Sequence, residues 1–170
     1  MGMIAFNELP DSSRLWIFSA DRLLSEQEIA ELRSQLGAFT ESWAAHRKDL
    51  TAGFDIRDGM FVLIGVDESK LPPSGCSIDS MVGALTMIGG RMGIELVDSP
   101  DIAFRDTDGV HAVTRDQFQK LANDGDVDSQ TPVFDRTISR LGDLRSGKWE
   151  IPAGTSWHGR AFDLREKQTA

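Results

Sequence analysis

The residues best suited to chemistry lie in the segment Ser74-Gly75-Cys76-Ser77-Ile78-Asp79, which leads into a helical pattern of apolar residues. If Ser77 is the N-cap of that helix, the unpaired backbone N–H groups of its first turn would stabilise an anion or a thiolate. Asp79 would add negative charge at the same helix end and oppose thiolate formation. We therefore predict an anion-friendly turn with a structural cysteine, for which inward packing of the thiol is the ordinary explanation. The predicted ligand contacts here are Ser74, Gly75, Cys76, Ser77 and Asp79.

A nucleophilic role for Cys76 is the alternative, and it requires a histidine to take the thiol proton. The candidate bases are His46 and His158. The pair Trp157-His158 could also stack on a ligand, so both residues join the predicted binding set. A C-terminal aromatic pair docked on the core explains them equally well. His46 stands near the end of the first predicted helix, where the helix dipole alone favours a histidine.

One acidic loop imitates a calcium site. Asp124, Asp126 and Asp128 alternate as calcium ligands do, and Asp135 falls at the twelfth position counted from Asp124. However, the sixth position is not glycine, and the twelfth residue is shorter than the bidentate Glu that the geometry prefers. An acidic surface turn is the better interpretation, so these three residues are only weak metal candidates.

A second set of carboxylates is dispersed: Asp55, Asp67, Glu68 and Asp79 lie on or beside a predicted hairpin and the second helix. If two or three of them met in space, they could hold magnesium for hydrolysis. Nothing in their spacing requires this convergence. We expect the protein to work without a metal ion or another cofactor.

The segment from Gly142 to Trp149 matches G-x-x-x-x-G-K, the first part of a nucleotide-binding phosphate loop. Trp149 stands where Ser or Thr should bind magnesium. The phosphate loop should open a long helix, yet Pro152 follows only four residues after Lys148. We interpret the match as chance, and we do not expect a phosphate-loop ATPase.

Composition limits the class of protein. The chain has 170 residues, 18 basic against 27 acidic side chains and a net charge of -9, which repels a nucleic-acid backbone. Its single cysteine cannot form an internal disulfide, and no apolar run is long enough to cross a membrane. Residues 1–10 lack the basic and apolar regions of an export signal. We expect one soluble cytoplasmic domain over residues 1–170 that binds an unknown protein or small molecule, with oligomers allowed.

The first two thirds of the chain predict the element order β-α-β-β-α-β. A strand over 14–19 precedes a helix that Ser25 and Glu28 begin with a capping box and that extends to about Ala45. Strands over 52–57 and 60–66 turn at Asp58-Gly59. A helix from Ile78 to Met92 and a strand over 94–97 complete the order of a ferredoxin-like sheet with helices on one face.

The last third predicts a C-terminal extension. A hairpin over 102–113 turns at Asp108-Gly109, and Thr114 opens a helix through Leu121. Another helix is expected over 137–144, followed by an irregular tail. The fold class is therefore α+β with an antiparallel or mixed sheet.

Several phrases in this order resemble an uncharacterised bacterial family of similar length that genome labels often call "ABC transporter ATPase". They are Leu9-Pro10-Asp11-Ser12-Ser13-Arg14-Leu15-Trp16-Ile17, Trp43-Ala44-Ala45-His46, Val66-Asp67-Glu68, Ser74-Gly75-Cys76-Ser77-Ile78-Asp79, Thr131-Pro132-Val133-Phe134 and Ser156-Trp157-His158. The resemblance implies no established activity. It does not imply an ATPase, because an ABC ATPase needs a working phosphate loop, a signature motif and a hydrophobic strand ending in Asp.

The function that these residues favour is binding of a partner or small ligand near the Cys76–Asp79 helix entrance. The alternative is a thiol- or metal-dependent enzyme that uses Cys76 with His46 or His158, or uses the clustered carboxylates. The two hypotheses differ in one spatial requirement, which is that the enzyme must bring these side chains into one cleft.

Overall fold

The computed structural model describes residues 2–97 and 101–166, and it divides the chain into two units. The first unit consists of Met1–Ser99 and Ser139–Gly142, and the second consists of Pro100–Ile138 and Asp143–Ala170. Each unit has its own sheet and its own hydrophobic core. Whether the two units form one domain stays a prediction.

The first unit contains an antiparallel four-stranded sheet and two long helices. In chain order its elements are β1 (Arg14–Ala20), α1 (Glu26–Ser42), β2 (Ala44–Ala45), β3 (Lys48–Asp49), β4 (Ala52–Arg57), β5 (Phe61–Val66), α2 (Gly75–Met92) and β6 (Leu96–Val97). The order across the sheet is β4-β5-β1-β6. The predicted mixture of helices with antiparallel strands is confirmed.

The ferredoxin-like arrangement as one core sheet is not confirmed, because the described strands form several separate antiparallel sheets. Arg14 lies opposite Val66, and Ser19 lies opposite Phe61, which is an antiparallel register. In the sheet of the first unit β5 lies between β1 and β4, and each neighbouring pair is antiparallel. The order of the elements along the chain could not decide how many sheets form, since strand pairing depends on residues that are distant in sequence.

Turn chemistry explains how this sheet is connected. Asp58 and Gly59 both have positive φ, at 55° and 62°, which is the conformation of the two-residue hairpin predicted between β4 and β5. The first helix ends at Ser42 rather than near Ala45, because Trp43 leaves the helix with φ -71° and ψ 126° and is buried. The short β2–β3 hairpin follows, with His46 and Arg47 at its turn.

Both helices pack on one face of the sheet. Alternate residues of a strand share a face, and the strands contribute Phe18, Ala20, Val62, Ile64 and Val66 to the core. The helices contribute Leu32 and Leu36 of α1 and Met81, Leu85 and Ile88 of α2. Burial of one such aliphatic side chain contributes roughly 1.5–3 kcal/mol. The 3.6-residue spacing of these residues therefore sets which side of each helix faces the sheet.

The second unit contains the predicted C-terminal elements and a sheet of its own. Its four strands and the helix Arg115–Asp124 pack around Phe104, Phe118 and Val133, and the strand order is 150–152, 132–134, 102–106 and 109–113. Only a short helix forms within the predicted 137–144 segment. The elements after β6 are β7 (Ile102–Asp106), β8 (Gly109–Val113), α3 (Arg115–Asp124), β9 (Pro132–Phe134), α4 (Leu141–Arg145), β10 (Glu150–Pro152) and α5 (His158–Ala161).

Over residues 2–97 and 101–166, none of the helices combines the length and the apolar composition that crossing a membrane requires.

Candidate functional site

The entrance of α2 is capped by Ser74, and the prediction that Ser77 is the N-cap is wrong. The Ser74 hydroxyl accepts a hydrogen bond from the Ser77 backbone N–H at 3.1 Å. The Ser77 hydroxyl in turn donates to the Ser74 carbonyl at 2.7 Å. The helix therefore begins at Gly75, three residues earlier than expected, and Cys76 lies inside its first turn. Ser77 loses the cap role because it is buried on the inner side of the helix.

The Cys76 side chain is exposed, so the expectation of an inward-packed thiol is wrong. Because α2 starts at Gly75, the helical period points Ser77 toward the core and Cys76 away from it. Asp79 is also exposed, but it stands in the second turn. Helix dipole effects weaken beyond the first turn, so Asp79 does not share the helix end in which Cys76 lies.

Trp43 connects this entrance to the end of α1, and the sequence analysis gave it no role. Its indole N–H donates to the Ser77 carbonyl at 2.8 Å, and its ring lies 5.4 Å from that of Phe39. The signal was available, because a buried Trp needs an acceptor for its indole N–H. This bond fixes the first turn of α2 against the α1 end.

His46 lies in the same unit but does not complete a cysteine–histidine pair. It is exposed at the tip of the β2–β3 turn, with φ at 51°. Among the described residues, no hydrogen bond joins its ring to Cys76. The helix-dipole explanation for His46 also fails, because α1 ends at Ser42 and the histidine lies in a separate hairpin.

His158 belongs to the core of the second unit. It is 1% exposed, and its Nδ1 lies 2.7 Å from the Ser156 hydroxyl. The Trp157 ring stacks on it with a centroid distance of 3.8 Å. Burial lowers the pKa of His158 to about 4; Asp135 opposes this shift and Arg115 adds to it. The Trp157-His158 pair thus packs in the core as a neutral aromatic cluster, with Phe118 and Phe162 around it.

In the acidic loop after α3, one carboxylate stabilises a turn and the others lie at a helix end or on the surface. Asp124 is the last residue of α3, and Gly125 ends that helix in the left-handed conformation. Asp128 accepts a hydrogen bond from the Gln130 N–H at 2.8 Å. Asp126 is exposed. Across the described ranges, no three His, Cys, Asp or Glu side chains are grouped as metal ligands.

The dispersed carboxylates of the first unit also have local partners. Asp67 accepts hydrogen bonds from the Ser69 N–H and hydroxyl, at 3.0 and 2.6 Å. Glu68 pairs with Arg140 at 2.9 Å, and Asp55 pairs with Arg57 at 2.9 Å. Asp67, Glu68 and Asp55 therefore each have a separate hydrogen-bond or ion-pair partner, and these contacts do not bring the three carboxylates together.

The segment that matches the phosphate-loop pattern, Gly142 to Trp149, is partly helical. Its first four residues, Gly142 to Arg145, lie in α4, whereas a phosphate loop must precede its helix to aim backbone N–H groups at phosphates. The Lys148 ammonium pairs with the Asp143 carboxylate at 3.1 Å. The geometry therefore agrees with a chance match.

The most distinctive surface of the first unit is the outer side of α2, which the sequence analysis did not single out. Cys76, Ser80, Gly83, Met87 and Gly90 are all exposed and recur every four or three residues. This spacing places them on one stripe, which we call the α2 seam. Met87 is 55% exposed, and Val82, on the flank of the helix away from the residues 84, 88 and 91, is 47% exposed. No exposed position between Asp79 and Arg91 carries a charge.

An open groove of about 340 Å³ runs between α1 and α2 beside this seam. It is lined by Gln35, Ala38, Phe39, Ser42, Ala84, Met87, Ile88 and Arg91. Its walls are mainly apolar, and the Arg91 guanidinium stands at one end, where it contacts the Met87 sulfur at 3.2 Å. The groove and the seam share Met87, so they form one continuous surface.

Comparison with known protein families, curated proteins and solved structures finds no match to this chain.

Proposed function

We propose that this chain is a binding domain that uses the outer side of α2, from the Cys76–Asp79 entrance to Arg91, to dock an apolar surface of a partner. The observation that carries the proposal is the exposure of Met87 and Val82 on a helix whose outer side lacks charge over eleven residues, 80–90. Water solvates apolar side chains poorly, so covering this surface is favourable.

The adjacent groove supports the same proposal. Binding sites are concave and mainly apolar, with a few polar groups that orient the ligand. The groove between α1 and α2 has this composition, and Arg91 supplies the orienting charge. The predicted binding region at the Cys76–Asp79 entrance forms the other end of the same helix side, about 18 Å from Arg91 at a rise of 1.5 Å per residue.

The dye 1-anilinonaphthalene-8-sulfonate tests this proposal because it combines an apolar ring system with an anion. We expect it to bind the native chain and to bind the Met87→Gln variant about fivefold more weakly, since loss of about 1 kcal/mol of apolar contact changes affinity by that factor. The matched control is Leu23→Gln, because Leu23 is 54% exposed but lies outside this surface. Near-ultraviolet circular dichroism shows that each variant keeps its tertiary packing.

Two results would contradict the proposal. One is equal dye binding by the native chain and the Met87→Gln variant. The other is an equal loss in the Leu23→Gln control, which would indicate nonspecific adsorption to any exposed apolar residue.

A thiol-dependent activity is favoured by one observation, which is the exposure of Cys76 inside the first turn of α2. Backbone N–H groups at that position stabilise a thiolate. Iodoacetamide at neutral pH should then alkylate Cys76 faster than it alkylates a model thiol. A rate equal to that of the model thiol would reject this second function and leave the docking proposal intact.

A further inference from the structure

We propose that residues 153–165, which we call the strap, are released from the second unit in mild acid when the His158 imidazole binds a proton. At neutral pH the strap is closed, which means that it packs on the core of this unit. The proton comes from water and forms one N–H bond, so the only chemical change is the charge of the ring. The proposal concerns the second unit alone and does not rest on docking at α2.

Apolar packing and neutral hydrogen bonds hold the strap closed. Phe162 is buried in the core of the unit. The Gln119 side chain of α3 accepts a hydrogen bond from the Asp163 N–H at 3.0 Å and donates one to the Asp163 carbonyl at 3.3 Å. The Ser129 N–H donates to the Arg165 carbonyl at 2.9 Å. These contacts use amide groups and apolar side chains, which do not titrate, so mild acid leaves them unchanged.

His158 is the residue through which acid acts on the strap. It is 1% exposed, and its ring stacks on Trp157 with Phe118 and Phe162 around it. Its Nδ1 lies 2.7 Å from the Ser156 hydroxyl. An uncharged imidazole suits these surroundings, whereas an imidazolium would lose hydration that the apolar rings cannot replace. A proton on His158 therefore favours the released strap.

Charged side chains from two neighbouring elements face His158. Arg115, the first residue of α3, has its guanidinium carbon 5.6 Å from the centroid of the Trp157 ring and 5.0 Å from that of the Phe162 ring. Asp135 directly follows β9. Burial is the main reason that the pKa of His158 falls from 6.5 to about 4; Asp135 opposes this shift and Arg115 adds to it. The Arg115 charge thus repels the protonated ring.

Release should become easier as pH falls through a defined range. In the released strap His158 regains its ordinary pKa of 6.5, while the closed strap holds this pKa near 4. Because the closed pKa is the lower one, the closed state loses nothing above pH 6.5, and its equilibrium constant falls about tenfold per pH unit between 6.5 and 4. Release also brings water to the Trp157 indole N–H, which is buried without an acceptor among the described residues.

Hydrogen exchange followed by mass spectrometry tests the release in the full chain. Exchange is measured from about pH 7 to about pH 4.5 and corrected for the intrinsic rate of each amide. In the closed strap the Phe162 N–H donates to the His158 carbonyl at 3.0 Å, and the Ala161 N–H donates to the Trp157 carbonyl at 3.1 Å. We expect the opening constant of these amides to rise about tenfold per pH unit below the ordinary histidine pKa. The amides of β5 in the first unit are the internal reference and should stay protected.

Substitutions around His158 should change this pH dependence in different directions. His158→Gln keeps a polar group near Ser156 but cannot bind the proton, so opening should no longer depend on pH. Arg115→Gln removes the repelling charge and should raise the pKa of His158, which moves release to higher pH. Asp135→Asn removes the attracting charge and should move release to lower pH. An NMR titration of the imidazole measures this pKa in the native chain and in the last two variants.

His111→Gln is the matched control. His111 is the other histidine of the second unit, and its Nε2 lies 2.7 Å from the Asp106 carboxylate on a partly exposed side of the sheet. This substitution should leave release of the strap unchanged. Near-ultraviolet circular dichroism at neutral pH shows whether each variant folds. If His158→Gln does not fold, the opposite shifts expected from Arg115→Gln and Asp135→Asn still test the proposal.

An opening constant of the strap that stays the same from about pH 7 to about pH 4.5 would overturn the proposal. The same pH dependence in His158→Gln as in the native chain would overturn it too. So would simultaneous opening of the strap and β5, because that result indicates acid unfolding of the whole chain. Shifts in the same direction, or no shift, for Arg115→Gln and Asp135→Asn would also count against it, since the two charges should then have opposite effects on His158.

Discussion

The helices α1 and α2 have nearly the same length and cover the same face of one sheet, yet their outer sides differ. Exposed charged side chains follow one another along α1 at Glu26, Glu31, Arg33 and Glu41. The outer side of α2 has none between Asp79 and Arg91 and exposes Met87 and Val82 instead. Both helices therefore pack on the sheet by their inner sides. Only the outer side of α1 carries charged side chains along its length, and the outer side of α2 exposes apolar ones instead.

The inner sides should be equivalent, and this is the prediction with the largest effect. Leu36 of α1 and Leu85 of α2 are 0% and 1% exposed within the same core. Leu36→Ala and Leu85→Ala should each lower the free energy of unfolding by about 2–5 kcal/mol, through lost burial and a cavity. Urea unfolding followed by circular dichroism measures both values. A cost near zero for Leu85→Ala would break the comparison, because α2 would then not be anchored by its inner side.

The helix caps should contribute less to the free energy of unfolding than the inner sides do. Ser25 forms a capping box with Glu28, and Ser74 caps α2 by one hydroxyl contact with the Ser77 N–H. Ser25→Ala and Ser74→Ala should each cost about 1 kcal/mol of unfolding free energy. The same denaturation experiment checks this. Ser77→Ala is the informative control, because a larger loss for it than for Ser74→Ala would show that Ser77 is the more important residue at the α2 entrance.

The smallest predicted effect is a loss of stability at low pH, which should occur at the start of α1 and not at the start of α2. The pKa of Glu28 is lowered to about 2 by its hydrogen bonds to Arg22 and to the Ser25 N–H. Because the folded pKa lies below the ordinary glutamate value of 4.5, this contribution to stability is complete above pH 4.5 and is lost as pH falls toward 2. In an NMR titration the Ser25 amide should shift with a midpoint near 2.

The matched signal in α2 is the Ser77 amide, whose acceptor is the neutral Ser74 hydroxyl. The chemical shift of the Ser77 amide should show no transition near pH 2. A common midpoint for both amides would indicate global acid unfolding instead of a local effect at the α1 entrance.

Much of the fold was predictable where a few neighbouring residues decide it. The Ser25 box, the Asp58-Gly59 turn and the Thr114 cap each follow from contacts within three residues of sequence. The spacing of Leu32, Leu36, Met81 and Leu85 likewise predicts the inner sides of both helices. The division of the strands into separate sheets was not predictable, since it depends on pairings between residues that are distant in sequence, such as Arg14 with Val66.

The candidate site was predictable only as a region. The chain itself determines that Ser74 to Asp79 open a helix and that His158 stands beside Trp157. Only the tertiary structure decides that Ser74 is the cap, that Cys76 faces outward and that His158 is buried near Ser156 and Phe118. The physical reason is that residue type sets what a group can do, while exposure depends on which side of each element the core covers. For α2 the sheet covers one side, and the uncharged opposite side becomes the candidate docking surface.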